Sequence, residues 1–209
     1  MKSMLTIALA ALICGAGPVL AQNGPEITIS SDTVSVGGLA TVDLSISGLG
    51  SGTQLGAYDL NVGFNPGIVS FASAAFGDPT LGDQLNLEGF GTFSSATPGT
   101  GTVDLAELSF DSAAVLQSSQ ASAFTLVQLT FDAKSVGTSA LDLSINAVSD
   151  AYGNGLTPAL SDGSITVRGA TAAPEVDSRS AFGALTLLAV SLAVARSRRR
   201  GSVRGVLSP

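Results

Sequence analysis

The chain has no histidine and no tryptophan, and its one cysteine, Cys14, sits in an apolar stretch near the N-terminus. Each absence removes a class of chemistry. Zinc, copper and haem sites draw on His or Cys ligands. Ser-His-Asp and Cys-His nucleophile systems need an imidazole base. Nothing after Cys14 can supply these groups, or a disulfide. Bases are scarce as well, nine against sixteen acids. All sixteen acids lie between Glu26 and Asp177, and the only bases within that span are Lys134 and Arg168. The body of the chain is therefore strongly acidic. Nucleic-acid binding rests on Lys and Arg neutralising phosphates, so nucleic acid is not an expected partner. An acidic surface serves solubility, and loop carboxylates also offer oxygen ligands suited to weak Ca2+ binding.

Both ends of the 209-residue chain read as targeting segments, and the body between them has the length of one ordinary domain. Residues 1–21 have the layout of a secretory signal peptide. Lys2 is the positive start, Leu5 to Cys14 the apolar run, and Val19-Leu20-Ala21 the small-residue cleavage site. Cleavage between Ala21 and Gln22 makes Gln22 the expected mature start. A lipoprotein leader ending at Cys14 is the alternative, but Ile13 before it is bulky for that class.

At the other end, Pro174-Glu175-Val176 lies in a linker over 171–180. An apolar run from Ala181 to Ala195 follows, and then Arg196-Ser197-Arg198-Arg199-Arg200. Fifteen residues at ~1.5 Å each make a helix of roughly 22 Å, short against a bilayer core of about 30 Å. Snorkelling Arg can extend it, and the positive-inside rule puts the Arg cluster in the cytoplasm and the body outside. Small motif, short apolar helix and Arg cluster, in that order, resemble the PEP-CTERM sorting signals read by exosortases. The resemblance covers 174–200, with Pro174 and Glu175 on the first two motif positions and Val176 in place of the usual second Pro. It implies a membrane-embedded sorting enzyme as a partner, with Arg198, Arg199 and Arg200 closing the signal. A plain membrane anchor over 181–200 is the bland alternative. Residues 201–209 form a short tail with no evident role.

The body, 22–170, is patterned for strands. Apolar and polar residues alternate through Val42-Leu44-Ile46, Tyr58-Leu60-Val62-Phe64, Val103-Leu105, Val127-Leu129-Phe131, Leu141-Leu143-Ile145 and Ile165-Val167, the mark of half-buried strands. Ile27, Ile29, Val34 and Val36 open the set. The parity slips between Phe124-Leu126 and Val127-Leu129, which predicts a β-bulge. Gly37-Gly38, Gly48 to Gly52, Asn65-Pro66-Gly67, Thr97 to Gly101, Gly137 and Gly153-Asn154-Gly155 punctuate the runs as turns. Asp111 to Ser119 lacks alternation and reads as a short helix or loop. The pattern predicts an all-β, two-sheet sandwich or jelly roll of about nine strands, flanked by the signal peptide and the C-terminal hydrophobic helix.

The run Leu55-Gly56-Ala57-Tyr58-Asp59-Leu60-Asn61-Val62-Gly63-Phe64-Asn65-Pro66 and the strands after it resemble the cohesin domains over Ile27 to Val167. The resemblance implies a nine-strand jelly roll, related to carbohydrate-binding modules, with a binding role. Its partner would be a surface protein or a polysaccharide. There are departures. The chain holds no dockerin-like D-x-N-x-D-G repeat, so a docking partner would lie elsewhere. Carbohydrate-binding modules stack sugars on Trp and Tyr, and only Tyr58 and Tyr152 are available. Tyr58 stands at a core-facing parity; Tyr152 lies in a turn and is expected to be exposed.

Catalysis has little to draw on, and no catalytic residue is assigned. Asp104 and Glu107 are the obvious carboxylate pair for glycoside hydrolysis, yet their spacing puts them on opposite faces of one strand. An inward Glu107 without a basic partner is costly, so a place at a sheet edge is expected for it. Asp78, Asp83, Asp150 and Asn154 sit in Gly-containing loops and are weak Ca2+ candidates. They fit no EF-hand spacing, and Asp and Asn in turns hydrogen-bond their own backbone without a metal. No obligatory cofactor is expected.

Overall fold

Where residues alternate in the sequence, they alternate in burial. In the computed structural model, which describes residues 24–50 and 52–169, Val42, Leu44, Ile46, Leu60, Val62, Val103, Leu105, Leu129, Phe131 and Leu141 are all wholly buried. The leader and its cleavage site, the sorting motif, the C-terminal apolar run and the Arg cluster lie outside the described residues.

The strands are β1 (Glu26–Ile29), β2 (Asp32–Ser35), β3 (Leu39–Ser47), β4 (Leu55–Gly63), β5 (Val69–Phe76), β6 (Thr92–Pro98), β7 (Thr102–Ser109), β8 (Phe124–Ala133), β9 (Gly137–Asp150), β10 (Ala159–Ser161) and β11 (Gly163–Arg168). One helix, α1 (Ala113–Ser119), falls in the segment without alternation. Ser112 caps it, its hydroxyl accepting from the Val115 amide, which satisfies a donor the helix start leaves free. The strands form a five-stranded sheet, β10-β1-β3-β8-β5, and a six-stranded sheet, β2-β11-β9-β4-β7-β6. Their inner faces make a β-sandwich core centred on Phe131, whose ring meets Phe64 and Phe71 edge to face at centroid distances of 5.3 and 6.0 Å.

Among the described residues eleven strands stand where about nine are expected from the alternation. The additions are β6, sequence TFSSATP, and β10, sequence ALS. Both lie at sheet edges, where one side of the strand has no neighbour and apolar alternation is not required. Pro98 in β6 is in keeping with an edge, where no ladder donor is missed.

The parity slip in β8 is a bulge. Leu44 pairs with Val127 and Ser45 with Thr125, leaving Leu126 as the extra residue, and Leu126 and Val127 are both buried. A second bulge lies in β9. Asp59 pairs with Ala147 and Leu60 with Ile145, so Asn146 is extra and turns outward. At one corner the chain changes sheets twice, between β1 and β2 and between β10 and β11. The crossings pack backbone to backbone: a Cβ on Gly163 would lie 2.4 Å from the Ser30 carbonyl oxygen. The Ser164 amide donates to Ser31 Oγ at 2.9 Å across the same point.

Candidate functional site

The outer face of the six-stranded sheet is set by register. Phe93 of β6 stands opposite Leu108 of β7, Ser95 opposite Ala106 and Thr97 opposite Asp104. Across the next ladder Leu108 meets Ala57 of β4, Ala106 meets Asp59 and Asp104 meets Asn61. Beyond β4 lie Ser149, Ala147 and Ser144 of β9. Around the charged and amide residues the floor of this face is made of small residues, Ala57, Ser95, Ala106, Ala147, Ser144 and Ser149.

One end of the face is apolar. Phe93, Leu108 and Phe110 are 60, 47 and 56% exposed. With Ala57, Ala106, Ala147 and Ser149 the first two line a shallow depression of about 200 Å3. Large side chains left in water beside a smooth floor mark a contact surface.

Next to it the face is acidic. The bulged Asn146 donates from Nδ2 to Asp59 Oδ1 at 2.8 Å and to Asp104 Oδ2 at 3.1 Å, and its Oδ1 accepts from Asn61 Nδ2 at 3.1 Å. Four residues from three strands thus form one polar cluster. Partial desolvation and the neighbouring Asp59 charge raise the Asp104 pKa. Among the described residues the only bases are Lys134 and Arg168, and the Lys134 Nζ donates to the Pro66 carbonyl instead.

Beneath the depression lies a buried carboxyl. Glu107 is 2% exposed and faces inward from β7, which is paired on both sides, with β4 and with β6. The edge position expected for it is thus wrong. What replaces a basic partner is a pair of hydroxyls. Tyr58 Oη donates to Glu107 Oε2 at 2.9 Å and Thr92 Oγ1 donates to Oε1 at 3.0 Å. Burial, and secondly the charge of Asp83, push the Glu107 pKa up from 4.5 to about 7. Burial and the adjacent Glu107 push the Tyr58 phenol upward too, so Tyr58 remains a donor. Tyr58 has the core-facing place its parity indicates, and Tyr152 is 66% exposed in the turn after β9.

Asp104 and Glu107 do stand on opposite faces of β7, so the two carboxylates do not converge on one cleft. The loop carboxylates are engaged locally. Asp78 Oδ1 accepts from the Thr80 and Leu81 amides at 2.8 and 2.9 Å, and its Oδ2 from the Thr125 amide at 2.8 Å. The Thr125 bond foremost holds its pKa below the usual range. Asp83 Oδ1 accepts from the Leu85 amide at 2.8 Å. Asp150 Oδ1 accepts from the Tyr152 and Asn154 amides, both at 2.8 Å, and Oδ2 from Asn154 Nδ2 at 2.9 Å. All but the Asp78–Thr125 bond are turn hydrogen bonds of the self-contained kind, and that one ties the loop to β8. Among the described residues no three acidic side chains gather into a metal-holding group.

Sequence reasoning missed the Asp59–Asn61–Asp104–Asn146 cluster. Outward parity for Asp59, Asn61 and Asp104 is readable from the alternation. Which strands lie side by side is not, and the bulge that adds Asn146 breaks the parity of β9.

No family model and no curated protein matches the chain. Solved structures do. A non-cellulosomal cohesin from Archaeoglobus fulgidus superposes with a TM-score of 0.53 at 12% identity, over 70% of this chain and 92% of its own. A cohesin from Clostridium acetobutylicum gives 0.56 at 16% identity, over 72 and 94%. A chain of a type I cohesin–dockerin complex from Clostridium thermocellum gives 0.57 at 14% identity, over 70 and 100%. The fold is that of the cohesins. On this cohesin fold, the outer face of β9-β4-β7-β6 joins an apolar corner to a carboxylate pair that makes no ion pair among the described residues, and Glu107 lies beneath the depression.

Proposed function

We propose that the chain is a non-catalytic docking module whose outer β9-β4-β7-β6 face binds a partner protein. The observation that carries this is the adjacency of exposed Phe93 and Leu108 to the Asp59–Asp104 pair on a floor of alanine and serine. An apolar plug fills the depression while a Lys or Arg of the partner answers the two carboxylates. Among the described residues the paired acids have no cation beside them, and in this reading the partner supplies the charge. The cohesin–dockerin complexes among the similar structures support protein docking as the use of such a sandwich. Polysaccharide binding is less well served, since the one exposed tyrosine, Tyr152, stands alone in a turn and tryptophan is absent.

The module works outside the cytoplasm in this reading, at the cell envelope or in the extracellular matrix. The leader at 1–21 exports it and the tail at 174–200 presents it to an exosortase-type enzyme in the membrane. The support is the sequence pattern of the two ends. Mass spectrometry of the protein from its host tests this part, with an N-terminus at Gln22 and a C-terminus near Pro174–Val176 as the expected result. A chain that keeps both ends contradicts it.

The docking claim is tested by retention of envelope proteins on the immobilised chain, wild type against Asp59→Lys and Phe93→Ser. Both residues are on the outer face, so the variants keep the core. Loss of a retained protein in both variants supports the face; equal retention refutes it.

A further inference from the structure

The edge strands differ in how well they are guarded. β10 is three residues long and β2 four, the latter beginning at Asp32. β5 carries a bulge, Ala72 being the extra residue between the Phe71 and Ser73 pairs. β6 has neither device. Its register with β7 runs unbroken from Thr92–Ser109 to Pro98–Val103, and its sequence, TFSSATP, holds no charge. Proteins ordinarily guard a long edge with charge, a bulge or a cover. Here only Pro98, at the far end, does so.

The hairpin fixes which backbone groups of β6 point away from the sheet. The Gly99 amide donates to the Thr102 carbonyl at 2.8 Å. That pair is therefore hydrogen-bonded, and along an antiparallel ladder such pairs alternate with open ones. Phe93, Ser95 and Thr97 accordingly bond to β7, while Thr92, Ser94 and Ala96 aim N–H and C=O outward. Pro98 shares the outward parity, so its missing N–H costs the β7 ladder nothing. Among the described residues no turn or loop backbone takes up the outward groups.

We propose that β6 pairs antiparallel with β6 of a second copy, about a twofold axis at Ser94. A second copy fits because the strand is its own complement in this register. Thr92 faces Ala96 of the other copy and Ser94 faces its counterpart, each facing pair exchanging two N–H···O=C bonds. An axis at Ser95 would instead set Thr92 against Pro98 and leave a carbonyl unanswered. The register at Ser94 also sets Phe93 diagonal to the other Phe93, roughly 7–8 Å away and within reach of an aromatic ring. Phe93 is 60% exposed in the single chain, and the pairing covers it. Two chains of net charge −7 repel, and a seam without charged side chains is where they approach at least cost. Phe93 serves this seam and the docking face alike, whereas Asp59 and Asp104 serve docking alone.

The test is oxidative crosslinking of the full chain in a Cys14→Ser background, with Ser94→Cys, Ser95→Cys and Ser73→Cys as separate variants. Ser94 and Ser73 are exposed and Ser95 is on the outer face, so the variants keep the core. Facing Cα atoms in a hydrogen-bonded pair lie about 5.5 Å apart, inside the span a disulfide bridges. The expected result is a dimer from Ser94→Cys formed about tenfold faster than from Ser95→Cys, off the axis, or from Ser73→Cys on the β5 edge. Adding Ser95→Glu to Ser94→Cys sets like charges about the seam and slows the reaction. Adding Asp59→Lys, which removes docking, does not slow it. Equal rates in the three variants, as association through residues 181–195 would give, overturn the proposal. So does the absence of a Ser94→Cys dimer, or a rate that Ser95→Glu leaves unchanged.

Discussion

Replacing Glu107 by Gln should remove most of the pH dependence of stability near neutrality. Folding raises the carboxyl from 4.5 to about 7, so the folded state prefers it protonated. Its contribution is complete below about pH 4.5 and is lost as pH rises through 7. At ~1.36 kcal/mol per pH unit the loss totals about 3 kcal/mol, roughly 2.5 of it between pH 5 and 8. That is a large share of a typical 5–15 kcal/mol. At ~2–4 °C per kcal/mol for a chain of this length, the melting midpoint should fall by roughly 5–10 °C across that range. In Glu107→Gln the side chain keeps its shape and stays neutral, and its amide oxygen still accepts from Tyr58. The variant's midpoint should be nearly flat from pH 5 to 8 and should exceed the wild type's at pH 8. Calorimetric scans of the full chain at five pH values suffice. Parallel profiles for the two proteins would refute the buried-acid reasoning. Of the other shifted carboxyls, Asp78 and Asp150 are lowered and titrate on the acid side of the window, while Asp104 is raised but is common to both proteins and cancels in the comparison.

On that acid side, Asp78→Asn should lessen the loss of stability below about pH 4, since a carboxylate lowered by folding contributes only while ionised; urea midpoints at pH 3 and 6 measure it. Leu129→Ala should cost about 2–5 kcal/mol, because Leu129 is wholly buried in the middle of β8, and equilibrium urea unfolding checks it. Gly163→Ala should cost roughly 1–3 kcal/mol through overpacking, because its Cβ would meet the Ser30 carbonyl at 2.4 Å. A variant as stable as wild type would show that the corner can open without penalty.

Much of the sandwich is legible in the chain, because one buried face per strand forces apolar residues to alternate. Even the β8 bulge shows, as a change of parity at Leu126–Val127. The edge strands β6 and β10 do not show, since an edge asks little of its side chains. The site follows the same division. Parity shows that Asp59, Asn61 and Asp104 face outward, but register decides that they form one cluster with Asn146. Glu107 misleads for a related reason. Its local sequence has no cation, and an edge is the natural inference. The donors that make its burial tolerable, Tyr58 and Thr92, come from neighbouring strands 49 and 15 residues away.

The central claim is that the outer face of β9-β4-β7-β6 docks a protein. It is tested most directly by passing the host's envelope proteins and its secreted polysaccharide separately over the immobilised full chain and over its Asp59→Lys/Phe93→Ser variant, at matched melting temperature. The account predicts a protein held by the wild type and released by the variant, with polysaccharide binding the same to both. Protein retained equally by the variant, or polysaccharide as the only material held, would contradict it.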